Sequence, residues 1–117
     1  LIEVNIGEET SKSGIDAGAV MDLADRVMAS PHLRLRGLMA IPPFVEGEAV
    51  RTYFVQMRQL FIDIRAKKMD NDTVNVLSMG MSSDFEYAIV EGATMIRVGT
   101  ELFGPRQYPQ NAGAAPQ

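Results

Sequence analysis

Residues 74–98 read VNVLSMGMSSDFEYAIVEGATMIRV, and this stretch decides the fold. Its first six residues are mostly apolar and rich in valine, which predicts a buried strand. A loop of glycine, methionine and serine follows, and residues 84–90 then predict a short helix that Gly92 ends. Residues 94–98 predict the next strand. A strand, a helix and a second strand in this order indicate a βαβ unit with parallel strands.

The same alternation extends through the preceding part of the chain. Residues 1–6 and 33–41 predict two more strands. Apolar residues spaced three and four apart predict a helix from Asp16 that stops before Pro31, and a second helix over 50–64. The resulting order, βαβαβαβ, predicts an α/β fold with a parallel sheet. Such a sheet is either open and doubly wound or half of a (β/α)8 barrel, because a whole barrel needs about 250 residues.

Composition excludes several classes of protein. Of 117 residues, 46% are hydrophobic and 22% charged, which is typical of a globular domain and argues against disorder. The net charge is −4 without a basic patch, so we expect no nucleic-acid partner. No apolar run approaches the roughly 20 residues of a membrane span. Cysteine is absent, which excludes disulfides and thiolate sites and fits a reducing, cytoplasmic location.

The two ends of the chain differ in character. The chain starts inside a strand-like pattern, so we expect a fragment of a larger protein. Its last residues are mainly proline, glycine, alanine and glutamine, which leave little to bury. We therefore predict one domain over residues 1–108 and a flexible tail over 109–117.

Two consecutive strands end in segments that suit an anion. Ligands bind at the C-terminal ends of the strands in parallel α/β folds. Residues 80–84, Gly-Met-Ser-Ser-Asp, open a helix with free backbone N–H groups and the Ser82 hydroxyl, although these side chains could merely cap the helix. Arg97 lies among apolar neighbours, where a guanidinium needs either an anion or a structural salt bridge. Gly99 lets a backbone approach a ligand closely.

A third candidate lies in the loop over residues 7–14. Lys12 stands between two serines there. A lysine in such a loop can attract a phosphate or form a Schiff base, and a solvated side chain is the alternative.

Three segments together carry a family resemblance: VNIGEETSKSGI (4–15), LRLRGLMAIPP (33–43) and LSMGMSSDFEYAIVEGATMIRVGTELFGPR (77–106). In this order they resemble the pyridoxal 5′-phosphate (PLP) homeostasis family, whose barrel is that of the alanine racemase N-terminal domain. The resemblance runs from Leu1 to about Tyr108. It implies that the chain is the C-terminal half, about four β/α units, of a TIM-type (β/α)8 barrel.

The resemblance also implies a function. The family binds PLP at the barrel mouth and is thought to buffer and deliver it to PLP-dependent apoenzymes, without catalysis. The alternative is a fragment of a PLP-dependent amino-acid racemase, which would need a second acid/base, usually a tyrosine of another domain. The family's Schiff-base lysine is expected in an N-terminal half that this sequence does not include. A half-barrel would have two open sheet edges, so we expect self-association or pairing with the other half.

Carried over residue by residue, the resemblance implies six contacts to the cofactor. It assigns the phosphate to Ser82, Gly99 and Thr100, the neighbourhood of the pyridine nitrogen to Arg97, the ring to Met39, and a secondary role in holding PLP to Lys12. The many other methionines are expected to fill the core.

Overall fold

A computed structural model describes residues 1–10, 13–67 and 73–104. Four strands and four α-helices alternate along them, and 3-10 turns at Ala17–Ala19 and Gly47–Val50 precede the first two helices. The elements are β1 (Ile2–Glu3), α1 (Val20–Ala29), β2 (Gly37–Met39), α2 (Arg51–Lys67), β3 (Val76–Met81), α3 (Phe85–Val90), β4 (Met95–Arg97) and α4 (Gly99–Phe103).

All four strands are parallel and lie in the order β1-β2-β3-β4. Leu38 of β2 pairs with Ile2 of β1 on one side and with Leu77 of β3 on the other. Parallel crossovers are right-handed, so a strand order without a reversal puts every connecting helix on the same face of the sheet. A doubly wound sheet needs such a reversal. The prediction of a half-barrel is therefore confirmed, and the doubly wound alternative is wrong.

The core lies between the sheet and its helices. Side chains alternate along each strand, so every second residue faces the helices. These positions and the facing sides of the helices are fully buried, and the largest side chains among them are Phe54, Leu38, Met57, Ile64, Leu77 and Met79. Each contributes about 1.5–3 kcal/mol by leaving water. None of the residues between 94 and 104 whose burial the structure describes belongs to this core.

The opposite face of the sheet has a different composition. Glu3, Met39 and Ser78 lie side by side on it in the register of β1, β2 and β3. Glu3 and Met39 are partly exposed, whereas Ser78 is 2% exposed. This face corresponds to the inside of a barrel, and at these three neighbouring positions it bears polar groups and methionine.

The strands are shorter than the sequence predicts. The predicted strand over 33–41 is reduced to Gly37–Met39. Residues 33–36 lie outside the strand pairing with β3. The Arg36 carbonyl accepts hydrogen bonds from both Asn75 and Val76, and the regular pairing between β2 and β3 starts only after this point. After the fourth predicted strand, which ends at Val98, the sequence predicts only a loop. The structure instead has the short helix α4, which ends before Gly104.

The two edges of the sheet are not equivalent, contrary to the expectation of two open edges. Val4 donates to Met39 of β2, so the flanking Glu3 and Asn5 direct their backbone groups outward. Ile15 occupies that outer side: its N–H donates to the Glu3 carbonyl, and its carbonyl accepts from Asn5, both at 2.9 Å. The chain thus partly covers the β1 edge itself, and the described residues provide no such cover for β4.

Candidate functional site

The C-terminal ends of β3 and β4 border an open cavity of about 770 Å³. It is lined by Phe44, Met81, Ser82, Ser83, Arg97, Gly99 and Thr100. Four of the six predicted cofactor residues therefore line one cavity, namely Ser82, Arg97, Gly99 and Thr100. Its volume lies in the range of small-molecule sites, about 300–1,000 Å³.

Arg97 ends β4 and reaches toward the end of β2. Its Nη2 donates to the Ala40 carbonyl oxygen at 3.0 Å. Its Nε is buried and has no hydrogen-bond partner among the described residues. Burial lowers the pKa of the guanidinium, while the carboxylates of Asp84 and Glu3 act in the opposite direction. An arginine nevertheless stays cationic at neutral pH, so Nε is a charged donor without an acceptor.

The structure distinguishes between the two interpretations of Arg97. A structural salt bridge was the alternative to an anion or ligand partner. Arg97 forms no ion pair with a carboxylate in the described part of the chain. A buried donor of this kind is normally satisfied, so its side chain suits a bound acceptor better than a purely structural role.

The loop after β3 is shaped by a tight turn rather than by a helix cap. Asp84 accepts from the Met81 backbone N–H at 2.7 Å, and its own N–H donates back to the Met81 carbonyl at 3.1 Å. Asp84 makes no side-chain bond to the first turn of α3. Gly80 precedes the turn with a φ of 101°, and a Cβ there would lie 2.7 Å from the Cβ of Ala88. This geometry places Ser82 at the cavity.

The segment after β4 contributes backbone and a hydroxyl. Gly99 and Thr100 begin α4 and are exposed. The first N–H groups of a helix have no partner within the helix, so they can donate to a ligand. A Cβ at Gly99 would meet no described atom within 4 Å. The fold therefore does not require a glycine here.

Two predicted residues are not placed at this cavity. Met39 lies in the middle of the sheet between Glu3 and Ser78, and the cavity is lined by Met81 instead. Lys12 lies outside the described residues, although its neighbour Ser13 donates to the Glu3 carboxylate at 2.8 Å. The roles of both side chains stay predictions.

Sequence patterns gave no reason to select Phe44, Met81 and Ser83, which also line the cavity. Met81 and Ser83 flank Ser82 in a loop that the sequence did single out. Phe44 follows two prolines at the end of the predicted second strand, and that position was the only available signal.

A second cavity of about 430 Å³ lies along α3 and shares Ser82 and Ser83 with the first. Its only lining cation is Arg51, which is already bonded to Glu91 at 3.0 Å and Glu48 at 3.3 Å. Hydrogen bonds that Arg51 donates to the carboxylates of Glu91 and then Glu48 raise the pKa of Arg51. Because that charge is satisfied, the cavity at Arg97 is the candidate site.

Other kinds of site find no support in the described ranges. No group of three or more histidine, aspartate or glutamate side chains is arranged to hold a metal ion among the residues that the structure describes. None of the described helices has the length and apolar character needed to cross a bilayer.

The model of the alanine racemase N-terminal domain family matches residues 1–107. The chain belongs to this family. Among curated members, the pyridoxal phosphate homeostasis protein of Aquifex aeolicus is 45% identical over 109 residues, which are 92% of this chain and 47% of the relative. The protein of the same name from Escherichia coli strain K12 is 47% identical over 108 residues, with 92% and 45% coverage. The resemblance found in the sequence is thereby confirmed.

A solved family member shows the same arrangement of elements. The structure of PipY from Synechococcus elongatus with PLP bound superposes with a TM-score of 0.72 at 31% identity. The match covers 88% of this chain and 47% of PipY. The chain thus spans about half the length of the family members that it matches.

Proposed function

We propose that this chain is the C-terminal half of a PLP-binding barrel that buffers and delivers the cofactor without catalysing a reaction. The observation that carries the proposal is the cavity at the ends of β3 and β4, where Arg97, whose buried Nε has no partner among the described residues, lines the same space as three hydroxyl side chains. The PLP bound to PipY and the name of the curated relatives support this choice of ligand. The proposed half-barrel spans residues 1–108, and the proposed tail over 109–117 lies outside the described residues.

The residues that line the cavity suit two parts of PLP, its phosphate and its pyridine nitrogen. Ser82, Thr100 and the backbone at Gly99 offer hydroxyl and N–H donors, which suit a phosphate dianion. We place the pyridine nitrogen at Arg97, which lines the same cavity and whose buried Nε has no partner among the described residues. When bound, PLP supplies an electron-withdrawing ring and an aldehyde.

The nature of Arg97 is compatible with the proposed non-catalytic role. An arginine only donates hydrogen bonds and has no carboxylate that would stabilise a proton on the pyridine nitrogen. An unprotonated pyridine is a weak electron sink, so the cofactor is held in a poorly activated form.

No tyrosine among the described residues lines the cavity as the second acid/base that the racemase alternative needs. Tyr53 and Tyr87 pack against the core instead of lining this space, and Tyr108 lies outside the described residues. No observation favours the racemase over the carrier.

Titration of the purified chain with PLP tests the proposed function. Difference absorbance of the cofactor and isothermal calorimetry should both show saturable binding of one PLP per chain, and inorganic phosphate should compete. Borohydride reduction followed by peptide mapping would detect covalent attachment at Lys12. Absence of saturable PLP binding by both methods would contradict the proposal for the chain on its own.

Gly99→Ala is expected to weaken PLP binding while leaving the fold intact. The added methyl group enters open space in the described structure, and alanine is a better helix former than glycine by up to about 1 kcal/mol. The same methyl group hinders close approach of a phosphate to the backbone, so we expect an affinity loss of about tenfold, equivalent to 1.4 kcal/mol. Calorimetry measures the affinity and thermal unfolding the stability. Gly18→Ala, which also meets open space but far along the chain, is the control.

We also propose that the isolated chain associates through the β4 edge, which is equally available to the other half of a barrel. β4 has β3 as its neighbour, and Met95 on it is 48% exposed. Sedimentation velocity should show oligomers that grow with protein concentration. Met95→Lys should shift the distribution toward monomer, because a charged side chain on an edge strand disfavours pairing with another strand. Ile62→Lys on α2, where the native side chain is 42% exposed, is the control. A monomer at every concentration would contradict this expectation.

Delivery to PLP-dependent apoenzymes and a cytoplasmic location complete the proposal. The absence of cysteine agrees with a reducing compartment. Transfer of PLP from the loaded chain to an apoenzyme, measured as recovered activity, tests delivery, and cell fractionation tests location.

A further inference from the structure

Phe44 combines high exposure with a place in the lining of the cavity. Its side chain is 82% exposed, and it nevertheless lines the cavity that contains Arg97. An exposed phenylalanine forgoes the stabilisation that burial of an aromatic ring provides. A ligand that fills the cavity would remove this ring from water.

The position of Phe44 is fixed by the residues before it. Pro42 and Pro43 have restricted φ angles, which limits the conformations of the segment that leads to Phe44. The ring of Pro43 packs so closely on Gly7 that a Cβ at Gly7 would overlap it. The loop after β2 therefore rests on the loop after β1, and Phe44 projects from this support.

The cavity has a polar part and an apolar part. Ser82, Thr100 and Arg97 provide hydroxyls and a charge, whereas Phe44 and Met81 provide an aromatic ring and a thioether, with Met81 40% exposed. A phosphate alone would use only the polar part. A flat aromatic ring that carries a phosphate would use both parts, because aromatic rings and sulfur make favourable contacts with such a ring.

We propose that Phe44 packs against the ring of the bound ligand and selects planar aromatic phosphates over other phosphorylated molecules. This inference rests on the proposed function and deepens it, since it assigns a specificity residue to the same cavity. Loss of the aromatic contact should weaken binding of PLP about 3- to 10-fold, the range that one aromatic pair provides. Binding of inorganic phosphate, which has no ring, should not change.

Phe44→Ala tests the selectivity. Calorimetry with PLP and with inorganic phosphate should show a weaker affinity for PLP only. Equal affinities of Phe44→Ala and wild type for PLP would overturn the inference, and so would an equal loss for both ligands, which would indicate a damaged phosphate site.

Phe44→Trp provides a direct readout of the contact. The chain contains no tryptophan, so the new indole is the only one and its emission reports on a single position. Contact with the ligand ring should remove the indole of Phe44→Trp from water, so its emission maximum should shift to shorter wavelength with the affinity found by calorimetry. Phe103→Trp is the matched control, because Phe103 is 84% exposed and does not line the cavity. Equal emission shifts of both variants would overturn the inference.

The outcomes separate this inference from the proposed function. If wild type fails to bind PLP, the proposed function fails and the inference fails with it. If wild type binds PLP and Phe44→Ala binds it equally well, only the inference fails.

Discussion

Gly37→Ala is expected to abolish the folded state. Gly37 begins β2 with a φ of 153°, and it pairs with Val76 of β3. A Cβ at Gly37 would overlap the Val76 carbonyl group, which is backbone and cannot move without breaking the ladder between the two central strands. Unusual backbone conformations cost about 1–3 kcal/mol for a residue other than glycine, and the overlap adds to this. We expect a loss of more than about 4 kcal/mol, a large part of the stability of a small domain.

Circular dichroism during urea unfolding measures this effect. Gly47→Ala is the matched control, because Gly47 also has a positive φ, 63°, while a Cβ there meets no described atom within 4 Å. The control should lose only about 1–2 kcal/mol, the cost of the left-handed conformation. A Gly37→Ala chain with the unfolding midpoint of the control would show that β2 and β3 can separate without loss of the fold.

Arg97→Met is expected to weaken PLP binding by about 10- to 100-fold. The substitution keeps an unbranched side chain but removes the buried Nε donor and the bond to Ala40. A hydrogen bond from a charged group contributes about 1.5–3 kcal/mol, which corresponds to this range of affinity. Arg97→Lys should bind PLP nearly as weakly as Arg97→Met. A lysine carries its charge on a single ammonium group, so it cannot bond to the Ala40 carbonyl and to a ligand in the geometry of a guanidinium.

Calorimetric titration with PLP measures the loss, at a temperature where circular dichroism shows both proteins folded. Arg34→Met removes an exposed arginine from the segment before β2 and should leave affinity unchanged. If Arg97→Met bound PLP as tightly as Arg34→Met, the assignment of the pyridine end of the cavity to Arg97 would be wrong.

The order of elements was predictable because it depends on local patterns. Strands at 74–79 and 94–98 and the helix between them were predicted within two residues of their observed ends. The length of β2 was not predictable, because it depends on the bonds that Arg36 accepts from a strand about 40 residues away. The cover of the β1 edge by Ile15 was missed for the same reason, since one isolated bridge leaves no periodic pattern.

The residues of the site were predictable where they lie at or directly after the C-terminal end of a strand. Ser82 and Arg97 were selected because C-terminal strand ends converge, and the structure brings both to one cavity. Whether Arg97 would be paired could not be deduced, because Nε burial and the bond to Ala40 depend on the twist of three strands. Phe44 was not predicted, because a phenylalanine in a loop has no distinctive sequence pattern. Only its exposure beside the cavity distinguishes it.

The absence of residues 94–104 from the core has a consequence for energetics. Segments with few buried apolar contacts open at a lower free energy than the rest of a domain, and amide hydrogen exchange reports this difference. Arg97, Gly99 and Thr100 lie in this segment, so the residues that would hold the ligand are those with the least support from the core. Part of the binding free energy then offsets the cost of holding β4 and α4 in place against the rest of the sheet. Any contact that stabilises this segment, such as a neighbouring strand on β4, would therefore raise affinity without touching the ligand.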